Sequence, residues 1–257
     1  GQAQRLQLGG PAAVEHLALF SDLVRRGDVA YAIGGQSRWG SGNADRHFVR
    51  TLDVSDPAAP RVLGTLAVGR VAERLALHED SLLVLAGESL LAVDVSDPAT
   101  PRLVGATEEL PRFADWLAVE GDAAYVLTTD EFAELARLDV SDPTAVEVVQ
   151  TVTLPGRARG LAVAGRHAYI GTYSTAGAAD SGVQVVDLRD GSAPMTPGAF
   201  VPLSGDASGM VVAGRWLYVY ASGLHVLDLA VPERPVLRGS AALDLIVWSP
   251  SGMQAVG

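Results

Sequence analysis

The sequence predicts an all-β chain, a β-propeller of four-stranded antiparallel blades, and three observations lead to it. An Asp that closes an apolar run recurs at Asp53, Asp94, Asp139, Asp187 and Asp228, with spacings of 41, 45, 48 and 41 residues. That is the period of a propeller blade, about 40 to 50 residues. Each unit holds four short apolar runs bounded by turn residues, which is how strands are written, and no stretch sustains a helical period. Sandwiches and solenoids fit less well than radial repetition, which shields sheet edges by packing blades around a channel.

The first run of each unit is LALF at Leu17 to Phe20, echoed by LALH at Leu75, LAVE at Leu117, LAVA at Leu161 and VVAG at Val211. The second follows a tight turn and carries Tyr31, Tyr125, Tyr169 or Tyr218, while the second unit departs with EDSLLVL. The third runs into the anchor Asp, as in SLLAVDV and SGLHVLDL, and the fourth is short, as in PRVLGTL and PRLVGAT. The expected blades are 11–69, 70–111, 112–156, 157–205 and 206–240, within one domain spanning 1–257. A sixth blade is expected from 241–257 together with 1–10, where LDLIVWSPSGMQAVG and RLQLGG supply strands whose pairing would close the ring.

The stretch that counts the blades is LDVSDPAAP (Leu52 to Pro60), repeated as VDVSDPATP from Val93 and LDVSDPTAV from Leu138. Side chains alternate along a strand, so the anchor Asp shares a face with Val49, Leu90, Leu135, Val183 or Leu224, each four residues earlier. The expectation is a carboxylate turned toward the next blade and satisfied by backbone N–H groups of the adjoining turn. The second Asp suits an Asx or type I turn, with Pro57, Pro98 or Pro143 at its second position. Two acids before a rigid Pro are too few oxygen ligands for a calcium loop, and a motif present in several copies is not one asymmetric catalytic constellation. Arg26-Gly27-Asp28 aligns with the other hairpin turns and is read as a turn.

These units resemble LVIVD repeats of bacterial and archaeal propellers, in which an apolar run enters DVSDPxxP after a GdyAYV-type second strand. The resemblance covers nearly the whole chain, although VDLRDGSAP at Val186 and LDLAVPERP at Leu227 depart from the turn pattern. It implies a propeller, often on exported, periplasmic or cell-surface proteins, and implies no particular reaction.

Composition narrows the function. A net charge of −11 and the absence of any basic run argue against nucleic acid. All 19 basic residues are Arg, which suits forked contacts to carboxylate wherever several converge. The absence of Cys removes disulfides and thiolate chemistry. No apolar run approaches the roughly 18 residues of a spanning helix, so membrane insertion is not expected.

In such a blade the connectors after strands two and four emerge opposite the DVSDP turns, and there the units differ where they should repeat. This places Glu15, His16, Glu73, Arg74, Asp115, Trp116, Arg159, Ser208 and Asp244 near the inner ends of successive blades, with Arg70, Arg112, Arg157 and Asp206 just before them. Two longer excursions rise on that side: GGQSRWGSGNADRH from Gly34, with Arg38, Trp39 and His47, and TYSTAGAADSG from Thr172. Loops on a rigid scaffold carry function, and Arg forks recognise carboxylates. The leading expectation is a non-catalytic scaffold that binds a protein, a peptide or a small polar ligand on this face. A mutually neutralising charge network around a wet channel is the bland alternative. A hydrolase or lyase using His16 with Glu15, Glu73 or Asp115 is another reading, although no nucleophile elbow, HExxH, Walker or GxGxxG pattern is present. A structural module of a longer surface protein is a third. No cofactor is expected beyond a weakly held calcium ion in the channel, and the oligomeric state stays open.

Overall fold

The computed structural model describes residues 18–36, 47–107, 110–129, 131–173, 181–189 and 193–242. The chain divides into two compact units, Gly1–Ala106 and Thr107–Gly257. The first carries two four-stranded sheets, β1 (Ala18–Arg26), β2 (Val29–Gln36), β3 (His47–Asp53) and β4 (Arg61–Ala67), then β5 (Ala72–His78), β6 (Ser81–Ala86), β7 (Ser89–Asp94) and β8 (Arg102–Thr107). The second carries three: β9 (Ala114–Glu120), β10 (Ala123–Thr128), β11 (Glu134–Asp139) and β12 (Glu147–Thr153); β13 (Arg157–Ala164), β14 (His167–Tyr173), β15 (Gly182–Asp187) and β16 (Thr196–Pro202); and β17 (Gly209–Ala213), β18 (Trp216–Tyr220), β19 (Leu224–Asp228) and β20 (Val236–Ala241). In every sheet consecutive strands are neighbours and antiparallel, so the five predicted units between 11 and 240 are five blades. The expected sixth falls on residues outside those described, apart from Ala241, which ends β20, and Ala242.

Local chemistry explains each blade. The first hairpin turn puts its leading residue in the left-handed region: Gly27, Gly121, Gly165 and Gly214 at φ 55 to 60°, and Glu79 at φ 47°. Only glycine reaches that region without a Cβ clash, so Glu79 is strained. Arg26-Gly27-Asp28 is indeed such a turn, with the Arg26 guanidinium donating to the Glu79 carbonyl oxygen and lying 3.3 Å from Asp80.

This turn register also corrects the first strand. Arg26 pairs with Val29 just as His78 pairs with Ser81. LVRR from Leu23, not LALF from Leu17, is therefore the counterpart of LALH from Leu75. Two arginines hide LVRR from a search for apolar runs, and the more hydrophobic LALF six residues upstream took its place.

The anchor carboxylates accept a backbone N–H of the adjoining turn as expected, and depart from the expectation in their other partners. Asp53, Asp94 and Asp139 each receive the N–H and hydroxyl of the serine two residues on, at 2.6 to 3.0 Å. The second oxygen of Asp53 accepts from Arg61, and that of Asp94 from Arg102 at 3.0 Å. Each of these arginines is the first residue of the blade's own fourth strand. The acids therefore close their own turns instead of reaching the next blade. Serine hydroxyls, foremost, hold all three below the usual carboxylate range, Asp53 at about 2. In the last blade Asp228, 3% exposed, takes Arg215 and Arg238 on the same carboxylate. The second Asp fulfils its predicted role: Asp56, Asp97 and Asp142 accept the N–H two residues on through the side chain and three on through the carbonyl.

Turn carbonyls make several of the hydrogen bonds between blades. In the first unit the Thr51 hydroxyl donates to Pro98 O, within the DVSDP turn of the following blade. In the second unit Gln150 Nε2 donates to Ala193 O at 3.2 Å, and the Tyr169 hydroxyl to Pro232 O at 3.2 Å. The repeated tyrosines belong to this packing. Tyr31 packs with Leu82, Val84 and Val93, Tyr125 with Leu161 and Ile170, and Tyr169 with Leu217 and Leu227, each cluster joining two adjacent blades of one unit. Burying one such aliphatic side chain contributes about 1.5–3 kcal/mol, so these seams hold the blades together.

Candidate functional site

One feature of the inner strands was not legible in the sequence. The first strand of four successive blades carries a β-bulge, with Ser21, Glu73, Asp115 and Arg159 as the inserted residues. A bulge re-aims the side chain it inserts. Glu73, Asp115 and Arg159 were expected at the binding face, and the bulge is the physical reason they stand apart from the alternating pattern. In the first blade the equivalent positions are Ser21 and Asp22.

In the first unit Asp22 is the residue the sequence reading missed. One of its oxygens accepts the Leu75 N–H at 2.8 Å and the other the Leu23 N–H at 2.9 Å, stitching β1 to β5. Burial pushes its carboxyl above the ordinary value, against the pull of those N–H groups and of nearby Arg74. His47 Nδ1 faces the Ala72 N–H at 3.4 Å, so this nitrogen is an acceptor, and burial holds the ring below its usual pKa. Arg70 donates to the buried Ser89 hydroxyl at 2.6 Å, and Arg74 to the Glu73 carbonyl at 3.2 Å. His47 and Arg70 thus hold the loop end of these two blades in place.

The second unit brings more of the expected residues together. The Arg159 guanidinium lies 4.6 Å from the centre of the Tyr173 ring and 3.8 Å from Asp206 Oδ2. Arg157 is 3.9 Å from Glu131, and Arg112 sits 5.8 Å from the centre of the Phe113 ring. Trp116 packs its ring onto the core shared by these blades. Phe113 and Phe132 are 61% and 68% exposed, and Phe113 is held at φ 60°, a strained conformation for an aromatic residue. Phe113, Phe132 and Tyr173 escaped the sequence reading. Their signal was a lone aromatic in a charged connector, PRFAD or DEFAE, where a core residue has no reason to be.

Glu15, His16, Arg38, Trp39 and Asp244 lie outside the described residues, and with them the acid–base reading built on His16. Among the described residues no group of three or more His, Asp or Glu side chains is placed to hold a metal ion. No helix among them is long and apolar enough to cross a membrane.

With this geometry in view, three stretches, residues 69–108, 111–153 and 204–242, match the LVIVD repeat. These are the second, third and fifth blades. The fifth matches despite its altered turn, and the fourth, with DLRDG, lies outside the matched stretches. No curated protein is similar to the chain in sequence. Among solved structures it is similar to a 6-phosphogluconolactonase candidate from Bacteroides fragilis (TM-score 0.66, 11% identity, covering 86% of this chain and 70% of that one). It is also similar to Sqt1 of Saccharomyces cerevisiae (0.65, 9%, 91% and 65%) and to the computationally designed protein Ika8 (0.62, 10%, 88% and 62%). The chain spans less than two thirds of the length of the last two. At such identities the likeness is one of fold alone, the β-propeller.

Proposed function

Since the chain is an LVIVD-repeat protein of β-propeller fold, we propose that it is a non-catalytic binding scaffold whose partner, a protein or peptide, meets the end of the blades that bears the connectors after strands two and four. The observation that carries this reading is the group formed by Arg159, Tyr173 and Asp206, with the exposed rings of Phe113 and Phe132 in the same unit. Aromatic and arginine side chains dominate binding energy at interfaces, and an Arg already stacked on a ring loses little freedom when a carboxylate arrives. A place outside the cytoplasm, as in many LVIVD proteins, belongs to the same proposal and is read by fractionating the source cells.

The test is a selection of displayed random peptides on the full chain, followed by titration of the selected peptides against Arg159→Ala and Phe132→Ala. The expected result is a loss of roughly tenfold or more in affinity for each variant. Peptides that bind both variants as tightly as the parent would show that this end is not the binding face.

A further inference from the structure

At the other end of the blades, where the DVSDP turns lie, the second unit contains a cleft of about 590 Å³ between its first two blades. Its charged lining is balanced: Arg137, Arg166 and Arg189 against Glu120, Asp122 and Asp139. The volume suits a small molecule, since ligand sites run at about 300–1,000 Å³.

The cleft is lined by positions where the repeats stop agreeing. At the second residue after the anchor Asp, three blades have Ser55, Ser96 and Ser141, whereas the fourth has Arg189, held at φ 44° with its Nε 3.2 Å from Asp187. Two residues before the anchor stand Thr51, Ala92, Val185 and Val226, but Arg137 in the third blade, where it donates across the cleft to the Arg189 carbonyl at 3.4 Å. In the first hairpin turn Asp28, Asp80 and Asp122 give way to Arg166, as they do to Arg215 in the fifth blade. Asp139 departs in its surroundings. Across the strands it faces Glu147, where Asp53 and Asp94 have Arg61 and Arg102. One oxygen of Asp139 holds Ser141; among the described residues no guanidinium hydrogen-bonds the other, although Arg137 is near enough for its charge to help hold the carboxyl low. The opposite wall is fixed by the Gly165 N–H, which donates to Glu120 Oε1 at 2.6 Å.

We propose that this cleft binds a small zwitterion carrying a carboxylate and an ammonium group, of the amino-acid or short-peptide type. Arg189 takes the carboxylate through the N–H groups that Asp187 leaves, with Arg166 adding positive charge to the same cleft, and the oxygen of Asp139 that Ser141 does not hold takes the ammonium, in the place that Arg61 and Arg102 fill in the other blades. A dianion meets three carboxylates with its second charge, and a dication meets three guanidinium groups, so both are disfavoured by like charge.

The experiment is calorimetric titration of the full chain with glycylglycine, succinate and 1,4-diaminobutane, repeated on Arg189→Ser and Glu147→Arg. Both substitutions install the residue that other blades already carry at these positions. Glycylglycine is expected to bind roughly tenfold or more tightly than either other probe, to lose about tenfold in Arg189→Ser, and to fail in Glu147→Arg, where the new guanidinium occupies Asp139. Equal binding of the three probes, no binding of glycylglycine, or unchanged binding in Arg189→Ser overturns the proposal. The last criterion stands even if Glu147→Arg melts early.

Discussion

The hydroxyl of Thr51, on the third strand of one blade, donates its hydrogen bond to the carbonyl oxygen of Pro98, inside the DVSDP turn of the next. The repeated turn is thus a docking element as well as a hairpin. The space around it is correspondingly tight: a Cβ on Gly64 would stand 2.7 Å from Pro98 O and 2.6 Å from Pro101 Cδ. Thr51→Val keeps the shape and removes the donor, which should cost about 1–3 kcal/mol. Gly64→Ala should cost about as much by overpacking. Urea unfolding of the two single variants and the double variant measures both effects, and the double should fall short of their sum because they strain one contact.

Gly171 makes the same kind of approach in the second unit, since a Cβ there would collide with the backbone carbonyl of Ala207. Backbone cannot swing aside as a side chain can. Gly171→Ala is expected to destabilise by about 1–3 kcal/mol or more, seen as a lower urea midpoint. Gly198→Ala, whose added methyl meets only Val185 O at an ordinary 3.7 Å, should change the midpoint little.

Glu79 fills, at φ 47°, the turn position that four other blades give to glycine. Left-handed backbone costs a side-chain-bearing residue about 1–2 kcal/mol, and the greater freedom of an unfolded glycine returns part of that, about 0.4–1 kcal/mol. Glu79→Gly should therefore stabilise the chain by roughly 0.5–1 kcal/mol. A thermal melt showing no gain, or a loss, would refute the strain argument.

Stability should fall in two separate acid windows. His47 is depressed by burial, so above its ordinary value of 6.5 both folded and unfolded rings are neutral. As pH falls below 6.5 the unfolded chain takes a proton that the folded ring refuses, and stability declines. Asp228 is lowered to about 2, first by Arg215 and then by the Ala230 N–H, against 3.8 when unfolded. Its contribution is complete above 3.8 and is lost as pH falls through about 2. Urea midpoints measured from neutral to strongly acidic pH should show the upper slope vanish in His47→Gln and the lower one, which Asp53, Asp94 and Asp139 share, become shallower in Asp228→Asn. If each variant keeps the slope of the parent, the assignment of that window fails.

Much of the fold could be read directly. The Asp spacing counted the blades, the alternation along SLLAVDV marked the strands, and Asp56, Asp97 and Asp142 close the turns that Asp-Pro predicted. LALF was misread because a hydrophobic run was weighed above the turn that sets register, and Gly27-Asp28 had marked that turn plainly. The arginine partners of the anchor acids escaped the reading because alternation says which face a side chain takes but not which donors lie there. Arg61 and Arg102 sit eight residues downstream and come opposite only when the fourth strand folds back.

The candidate site was legible as a list of residues and not as an arrangement. Glu73, Asp115 and Arg159 were picked out because they broke the repeat, but that they are bulged, and that Arg159 stacks on Tyr173 beside Asp206, depends on residues brought together from different strands. The turn end was passed over as the place where repeats agree, yet Arg137, Arg166 and Arg189 disagree there and line one cleft. By itself the sequence determined the strands, the turns and the number of repeats described, because period-two alternation and Asp-Pro turn chemistry act over a few residues. The tertiary structure alone decided which exceptional side chains face one another, because blade-to-blade packing, through carbonyls such as Pro98 O and seams such as Tyr169 against Leu217, joins residues some 50 positions apart.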